Sequence, residues 1–149
     1  VAETTDPTVS RITLVTEGDD QIVEQIGKQL NKLICVLKVI DFQEAVHVER
    51  EMVLIKVAVD ERTRNEVLNI VNLFRAKVID VDSRSFIVEV TGDEDKIDAI
   101  LNLFKPLGIK EIVRTGKVAL HRGSQLLSAS SRGEAVELNK GKPQKEKAA

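Results

Sequence analysis

Apolar and polar positions alternate with period two in some stretches of the chain. In others they recur at steps of three and four, and the switch between the two periods predicts the elements. Around Val9–Thr16, Ile12 and Leu14 fall on one face, with Arg11, Thr13 and Val15 on the other, which predicts a strand. Glu17-Gly18-Asp19-Asp20 reads as a turn into a helix with an Asp as N-cap, where a carboxylate oxygen can accept from an otherwise unpaired amide. Ile22, Val23, Ile26 and Leu30 form the helix stripe, and the pattern ends near Lys32. The mostly apolar run Leu33–Asp41 (LICVLKVID) predicts a second strand.

A short connection, FQEAVHVERE, leads to a second set of elements. In Met52–Val59, Val53, Ile55, Val57 and Val59 share one face and Leu54, Lys56 and Ala58 the other. Thr63 followed three residues later by Glu66 fits a capping box, ahead of the stripe Val67, Ile70, Val71 and Phe74. Strands are predicted at Lys77–Val81 and Ser85–Thr91 around a tight Asp82-Ser83-Arg84 turn. Gly92-Asp93 opens a third helix with stripe Ile97, Ile100, Leu101 and Phe104, which Pro106 and Gly108 stop. Ile109–Thr115 is the last predicted strand.

The order over 52–116 is β-α-β-β-α-β, the ferredoxin-like split βαβ arrangement, and the order over 9–41 is the back half of the same unit. Gly18 and Gly92 stand 74 positions apart. At that offset Asp19 meets Asp93, Val23 meets Ile97, Ile26 meets Ile100 and Leu30 meets Phe104. The expected fold class is therefore α+β, with tandem ferredoxin-like modules. The first is expected to be truncated at its N-terminus, lacking its first strand and helix, with its second strand a stub around Val1–Glu3. In this topology the first strand runs mid-sheet. Without it the strands at 9–16 and 33–41 are not neighbours, and their free backbone groups face water. Upstream sequence or a borrowed strand is the expected remedy. The domains are expected at 1–43, 44–123 and a flexible tail at 124–149.

Composition narrows the function classes. Only four Phe and no Tyr or Trp are present, so the core has to be aliphatic. Basic and acidic residues number 22 and 24, without the basic excess of a nucleic-acid binder. Residues 117–149 carry a net +4 and the rest −6, so the tail is either a solvated terminus or an electrostatic arm. No apolar run reaches the ~18 residues that span a bilayer, and VAETTDPTVS lacks the features of a secretory signal. The single Cys35 fits a reducing compartment, and its place in an apolar strand predicts a buried, inert thiol.

Candidate chemistry is sparse. His47 and His121 lie far apart, with no Cys or His at metal-ligand spacing, and no Gly-rich phosphate loop appears. Asp19/Asp20 and Asp93/Glu94 stand at helix starts, where capping explains them. Asp80 and Asp82 share a strand face and read either as paired carboxylates or as a solvated edge beside a turn. RNA-recognition modules share this topology but stack bases on sheet aromatics, which MVLIKVAV lacks. What remains is a regulatory or interaction module. Its uncovered sheet face bears Leu54, Lys56, Ile87 and Glu89, too apolar for full solvation. In the turn Asp60-Glu61-Arg62-Thr63, Arg62 could pair with a carboxylate and Asp60 with an amine, which suits an amino acid. The competing reading is a solvated turn and cap.

Several segments resemble the small, regulatory subunit of acetohydroxyacid synthase (acetolactate synthase), an ACT-domain family. They are DPTVSRITLVT at 6–16, QIGKQLNKLICVLKV at 25–39, HVEREMVLIKV at 47–57, FRAKVIDV at 74–81, FIVEVTGDEDKIDA at 86–99 and EIVRTGKVALHRG at 111–123. The resemblance covers about residues 1–123. It implies an ACT domain followed by a second ACT-type domain, with no catalysis and no cofactor of its own. It also implies a homodimer that binds the thiamine-diphosphate-dependent catalytic (large) subunit, raises its activity and confers feedback inhibition by valine, and in some members leucine or isoleucine. Effector sites in the family lie between N-terminal ACT domains, largely on the opening strand–loop–helix that is not present here. Arg11, on the strand that remains, is the effector contact this chain offers. A bacterial cytoplasm or plastid stroma is the implied location, with no membrane or nucleic-acid partner. A free-standing amino-acid sensor and an RNA-binding module remain the alternatives.

Overall fold

The computed structural model describes residues 1–43 and 45–123. The tail expected at 124–149 lies outside the described residues. In the first part, β1 (Ala2–Glu3) pairs antiparallel with β2 (Ser10–Arg11), Ala2 opposite Arg11. The turn between them is held by Asp6, whose Oδ1 accepts from the Thr8 amide at 2.9 Å and from its hydroxyl at 2.7 Å. Helix α1 (Asp20–Asn31) follows, with Asp19 at the N-cap accepting from the Ile22 amide at 2.9 Å. The stub at Val1–Glu3 and the Asp cap are as expected.

Three expectations for this part fail. The strand expected at 9–16 contracts to Ser10–Arg11, and no strand forms over 33–41. The reason is topological. A strand pattern becomes a strand only where a neighbouring backbone supplies the ladder bonds. Among the described residues, none pairs with 33–41. Ile34 is consequently 90% exposed, and α1 buries none of its side chains. Cys35 is exposed, not buried, because the strand that was to bury it is not formed.

The second part is the complete module. Strand β3 (His47–Ala58) is followed by α2 (Arg64–Leu73), β4 (Lys77–Val81), β5 (Ser85–Gly92), α3 (Glu94–Phe104), a 3-10 turn (Lys105–Leu107) and β6 (Ile109–Arg114). A last strand, β7 (Val118–His121), pairs with the start of β3. The sheet order is β4-β5-β3-β6, every neighbour antiparallel, which is the ferredoxin-like order with the module's first strand inside the sheet.

The period-two pattern sorts β3 into two faces. Val53, Ile55 and Val57 are fully buried, together with Phe86, Val88 and Val90 directly opposite them on β5. Val67, Ile70 and Val71 of α2 and Ile97, Ile100 and Phe104 of α3 close over this face. The core is aliphatic except for Phe86 and Phe104, and the Arg64 guanidinium lies over the Phe86 ring, 5.3 Å from its centroid.

Three details depart from the pattern reading. First, β3 begins at His47, five residues before the expected Met52, because β7 gives its first residues a partner. Second, the register between β3 and its neighbour shifts after β6. Thr115 still bonds to Met52, and Gly116, at φ +81°, turns the chain into β7. That backbone conformation costs a side chain and suits glycine. The result is a two-stranded ribbon, His47–Arg50 with Val118–His121, which extends β3 beyond the point where β5 ends at Gly92 opposite Glu51. Third, the capping box sits three residues earlier than expected. Thr63 makes no cap bond to α2. Asp60 Oδ1 instead accepts from the Thr63 amide at 2.7 Å, while Thr63 Oγ1 accepts from the Asp60 amide at 3.0 Å. An Asp is the better cap here because its carboxylate also takes the Arg62 amide, at 2.8 Å.

Candidate functional site

Asp60 and Arg62 sit where β3 runs into α2. The Asp60 carboxylate is already engaged by two amides and the Thr63 hydroxyl, and these bonds, the Thr63 amide first, hold it below the usual carboxylate range. The turn geometry thus accounts for Asp60. Arg62 is exposed, and among the described residues its guanidinium has no hydrogen bond or ion pair. Arg11 is half-buried in β2, likewise with its guanidinium free among the described residues. Asp60 and Arg62 are joined through the Arg62 amide, which donates to Asp60 Oδ1 at 2.8 Å, whereas among the described residues no hydrogen bond or ion pair links Arg11 to either, so the three are not assembled into one constellation.

The acidic pairs resolve as caps and turns. Asp93 Oδ1 accepts from the Lys96 amide at 3.0 Å. Asp82 accepts from the Arg84 amide at 3.2 Å, and that bond, with those from Ser83, lowers its pKa. Asp80 faces away from the helices, opposite Ile87, past a bulge at Val78/Asp80. Among the described residues, no group of three His, Cys, Asp or Glu side chains could hold a metal ion. No helix there is long and apolar enough to cross a membrane.

The structure assembles a cluster that the pattern does not predict. Where the ribbon leaves the sheet, Glu51 is 5% exposed on the helix side of β3. Arg114 reaches it with two bonds, Nε to Oε1 at 3.1 Å and Nη2 to Oε2 at 2.5 Å. A bidentate pair of this kind fixes orientation as well as charge. Its hydrogen bonds hold the Glu51 carboxyl below its ordinary range against the opposing effect of burial, and raise the Arg114 guanidinium. Lys117 follows, with Nζ 2.6 Å from Glu94 at the start of α3 and 3.8 Å from Glu49. The Glu94 bond is the first cause of the raised Lys117 pKa. This chain of charges fastens the ribbon to the helix layer. The odd-numbered alternation of His47, Glu49 and Glu51, in phase with Val53, is the signal that could have shown β3 starting earlier.

The other face of the sheet has no helices. Leu54 stands opposite both Glu89 and Val113, and Lys56 opposite Ile87 and Glu111. The ribbon continues the same face through Val48 opposite Leu120 and Arg50 opposite Val118. Val113, Val118 and Leu120 are more than half exposed. Val48, Met52 and Leu54 of β3 thus line an apolar stripe with Val113, Val118 and Leu120, broken by Arg50 and closed by Lys56, Glu89 and Glu111.

A complete ferredoxin-like module that follows a smaller helix-bearing part, with this uncovered stripe on its sheet, places the described residues in the α+β, ACT-like class by fold. Residues 50–123 match the family described as small subunit of acetolactate synthase, and residues 1–38 the family described as AHAS small subunit-like ACT domain. A probable acetolactate synthase small subunit of Archaeoglobus fulgidus is 52% identical over 117 residues, 78% of this chain and 73% of that protein. The acetolactate synthase small subunit of Aquifex aeolicus is 53% identical over 123 residues, 82% of this chain and 64% of that protein. The crystal structure of the small subunit from Thermotoga maritima superposes with a TM-score of 0.66 at 43% identity, covering 73% of this chain and 68% of that one. The chain belongs to the acetolactate synthase small-subunit family, and spans about two thirds to three quarters of the length of these relatives.

Proposed function

We propose that the chain is a non-catalytic regulatory subunit that binds the catalytic, thiamine-diphosphate-dependent subunit of acetolactate synthase, raises its activity and makes it sensitive to branched-chain amino acids. The observation that carries this reading is the tandem match of both family models, in the order ACT domain then small-subunit domain, at about 50% identity to relatives of that name. The fold is compatible with it. The buried face is spent on the core, which leaves the opposite face and the ribbon as contact surface for another protein.

Residues 1–43 form an ACT-domain portion, 44–123 a complete ACT-type domain, and 124–149 a tail. The chain acts as a homodimer in a bacterial or archaeal cytoplasm, and the effector is valine, leucine or isoleucine. Arg11 and Arg62 each offer a free cation to an effector carboxylate, with Asp60 holding the turn that presents Arg62. The mechanism is a population shift. The dimer binds the competent state of the catalytic subunit better than the idle one, and effector reverses that preference by a coupling of ~1–3 kcal/mol.

The test is to mix the chain with a catalytic subunit at rising ratio and follow acetolactate formed from pyruvate. The expected result is a saturable rise, reversed by valine, leucine or isoleucine, with no turnover by the chain alone. An unchanged rate at saturating ratio would overturn the reading.

A further inference from the structure

Strand β6 ends the sheet. One of its edges pairs with β3, and among the described residues no strand pairs with the other. The Thr115 amide donates to the Met52 carbonyl at 3.1 Å, so these two residues form a hydrogen-bonded pair of the antiparallel ladder. Such pairs alternate with pairs whose N–H and C=O groups point outward. In this register Leu54–Val113 and Lys56–Glu111 are the bonded pairs. Ile112 and Arg114, opposite Ile55 and Val53, therefore direct their backbone groups to the open edge. Beside that edge lies a groove of about 430 Å³ between β6 and α3, lined by Asp98, Leu101, Asn102, Lys105, Ile109 and Ile112. We propose that the free edge of β6 and this groove form a binding site for an extended segment of another protein, which adds as an antiparallel strand and carries a basic, an apolar and an acidic side chain at alternate positions.

Backbone and side-chain requirements coincide at this edge. The groove floor is apolar: Leu101 and Ile109 are half-buried, and Ile112 is 41% exposed on the helix side of the sheet. The rim is polar, and among the described residues the side chains of Asp98, Asn102 and Lys105 make no hydrogen bond or ion pair. Lys110, on the same strand, is drawn away to the Arg84 carbonyl, 3.0 Å from its Nζ, and does not cover the edge. The other outer strand, β4, is interrupted by its bulge at Val78/Asp80, whereas β6 pairs regularly from Glu111 to Arg114. Outward N–H and C=O groups are satisfied by another backbone, and the groove alongside accepts every second side chain of that backbone.

Charge sets the order of the segment. Strands β5 and β6 both run antiparallel to β3, so α3, which joins them, runs back antiparallel to β6. Asp98 thus lies toward Arg114, and Lys105 toward Ile109. At the Arg114 end, Glu49, Glu51, Glu94 and Asp98 stand against Arg114 and Lys117, four carboxylates to two cations. At the other end stand Lys105 and, in the bulge of β6, Lys110. A strand laid antiparallel on β6 meets the negative end first, then the apolar floor, then the positive end, which selects basic–x–apolar–x–acidic. Asp98 and Lys105 are seven helical residues apart, ~10.5 Å along the axis. Three alternate residues of a strand span ~13 Å, and the Lys105 stem takes up the difference. A second copy of β6 suits this edge less well. Paired about Ile112, it brings Lys110 against Arg114; shifted by two residues, it sets Ile112 against Arg114.

The probe is a capped peptide, acetyl-Thr-Lys-Thr-Val-Thr-Glu-Thr-amide, added to the isotope-labelled full chain and followed by amide NMR and hydrogen exchange. Saturable shifts are expected at millimolar peptide, centred on the Ile112 and Arg114 amides, with exchange there slowed at least threefold. N-methylation of the peptide's Val removes the N–H that the Ile112 carbonyl receives and should abolish these changes. Exchanging the peptide's Lys and Glu should weaken binding at least threefold. The chain variant carrying Asp98→Lys and Lys105→Glu should prefer the exchanged peptide, and because both residues are exposed its melting temperature should stay that of the unsubstituted chain. Absence of shifts at millimolar peptide, equal binding of the N-methylated form, an unchanged preference in the double variant, or shifts centred on Leu54 and Glu89 of the opposite face would overturn the site. Protection of Ile112 and Arg114 that rises with chain concentration alone would give the edge to a second copy and overturn it as well.

Discussion

Asp19 and Asp93, 74 positions apart, make the same bond to the same place: each accepts from the amide three residues on, at 2.9 and 3.0 Å, from backbone angles within a few degrees of one another. Each is preceded by a glycine on which a Cβ would crowd the side chain four residues ahead, Ile22 in one case and Lys96 in the other. The two helix starts are one design used twice, but they sit in different energetic settings. Helix α3 buries Ile97, Ile100 and Phe104, and α1 buries nothing. Asp93→Ala should therefore cost the second module about 1 kcal/mol, lowering its melting temperature by roughly 4–8 °C. Asp19→Ala should leave that transition where it is. Thermal unfolding followed by circular dichroism decides the point, and equal shifts would place α1 in the same cooperative unit.

The same asymmetry governs apolar truncations. Ile97→Ala removes a fully buried side chain from a closed core and should cost about 2–5 kcal/mol. Ile12→Ala trims a side chain that is mostly in water and should stay within about 0.5 kcal/mol. Urea unfolding of the two variants reads the difference directly. A large loss from Ile12→Ala would overturn the reading of Ile12 as a solvated side chain.

How far the fold was legible follows from these residues. The module at 47–121 could be read almost whole because each of its patterns finds a partner within the chain: Val53, Ile55 and Val57 face Val90, Val88 and Phe86. The first part was misread at 33–41 for the opposite reason. Its mostly apolar run is strand-like, but among the described residues no backbone pairs with it. Strand β7 was missed because Thr115-Gly116-Lys117 reads as the end of a strand, whereas Gly116 at positive φ only steps the chain sideways. The site was the least legible. Sequence marked Asp60 for a ligand, yet three local hydrogen bonds claim it. Nothing in the spacing linked Glu51 to Arg114, 63 positions away.

That ion pair carries a pH signature of its own. Glu51 is held below its ordinary value of 4.5 in the folded state, chiefly by the Arg114 bonds. A lowered folded-state pKa means that the stabilisation is complete above about pH 4.5 and is lost as pH falls through the lower, folded value. Stability should fall off below about pH 4.5, and Glu51→Gln should flatten that decline. Arg114→Ala should cost about 1–2 kcal/mol at pH 7, less than a fully buried pair because 42% of the Arg114 side chain is in water. Urea midpoints measured from pH 7 to pH 3 test both statements. An unchanged acid profile in Glu51→Gln would assign the decline to other carboxylates.

Asp60 and Arg62 separate a turn from a binding contact. Asp60 is the cap of α2, so Asp60→Ala should lower the melting temperature whether or not an amino acid is present. Its carboxylate is needed ionised, so at low pH the wild-type chain should approach the variant as the lowered Asp60 pKa is crossed. The one bond Arg62 makes among the described residues is through its backbone amide, which alanine keeps, so Arg62→Ala should leave the melting temperature of the free chain unchanged. A ligand that binds only the folded chain raises its apparent stability by mass action. If Arg62 receives an effector carboxylate, millimolar valine, leucine or isoleucine should raise the melting temperature of the wild-type chain and do so less in Arg62→Ala. Thermal shift with the three amino acids, and with the corresponding amines that lack the carboxylate, makes the comparison. An equal rise in both proteins would leave Arg62 as a solvated turn residue and move the contact to Arg11, where Arg11→Ala repeats the test.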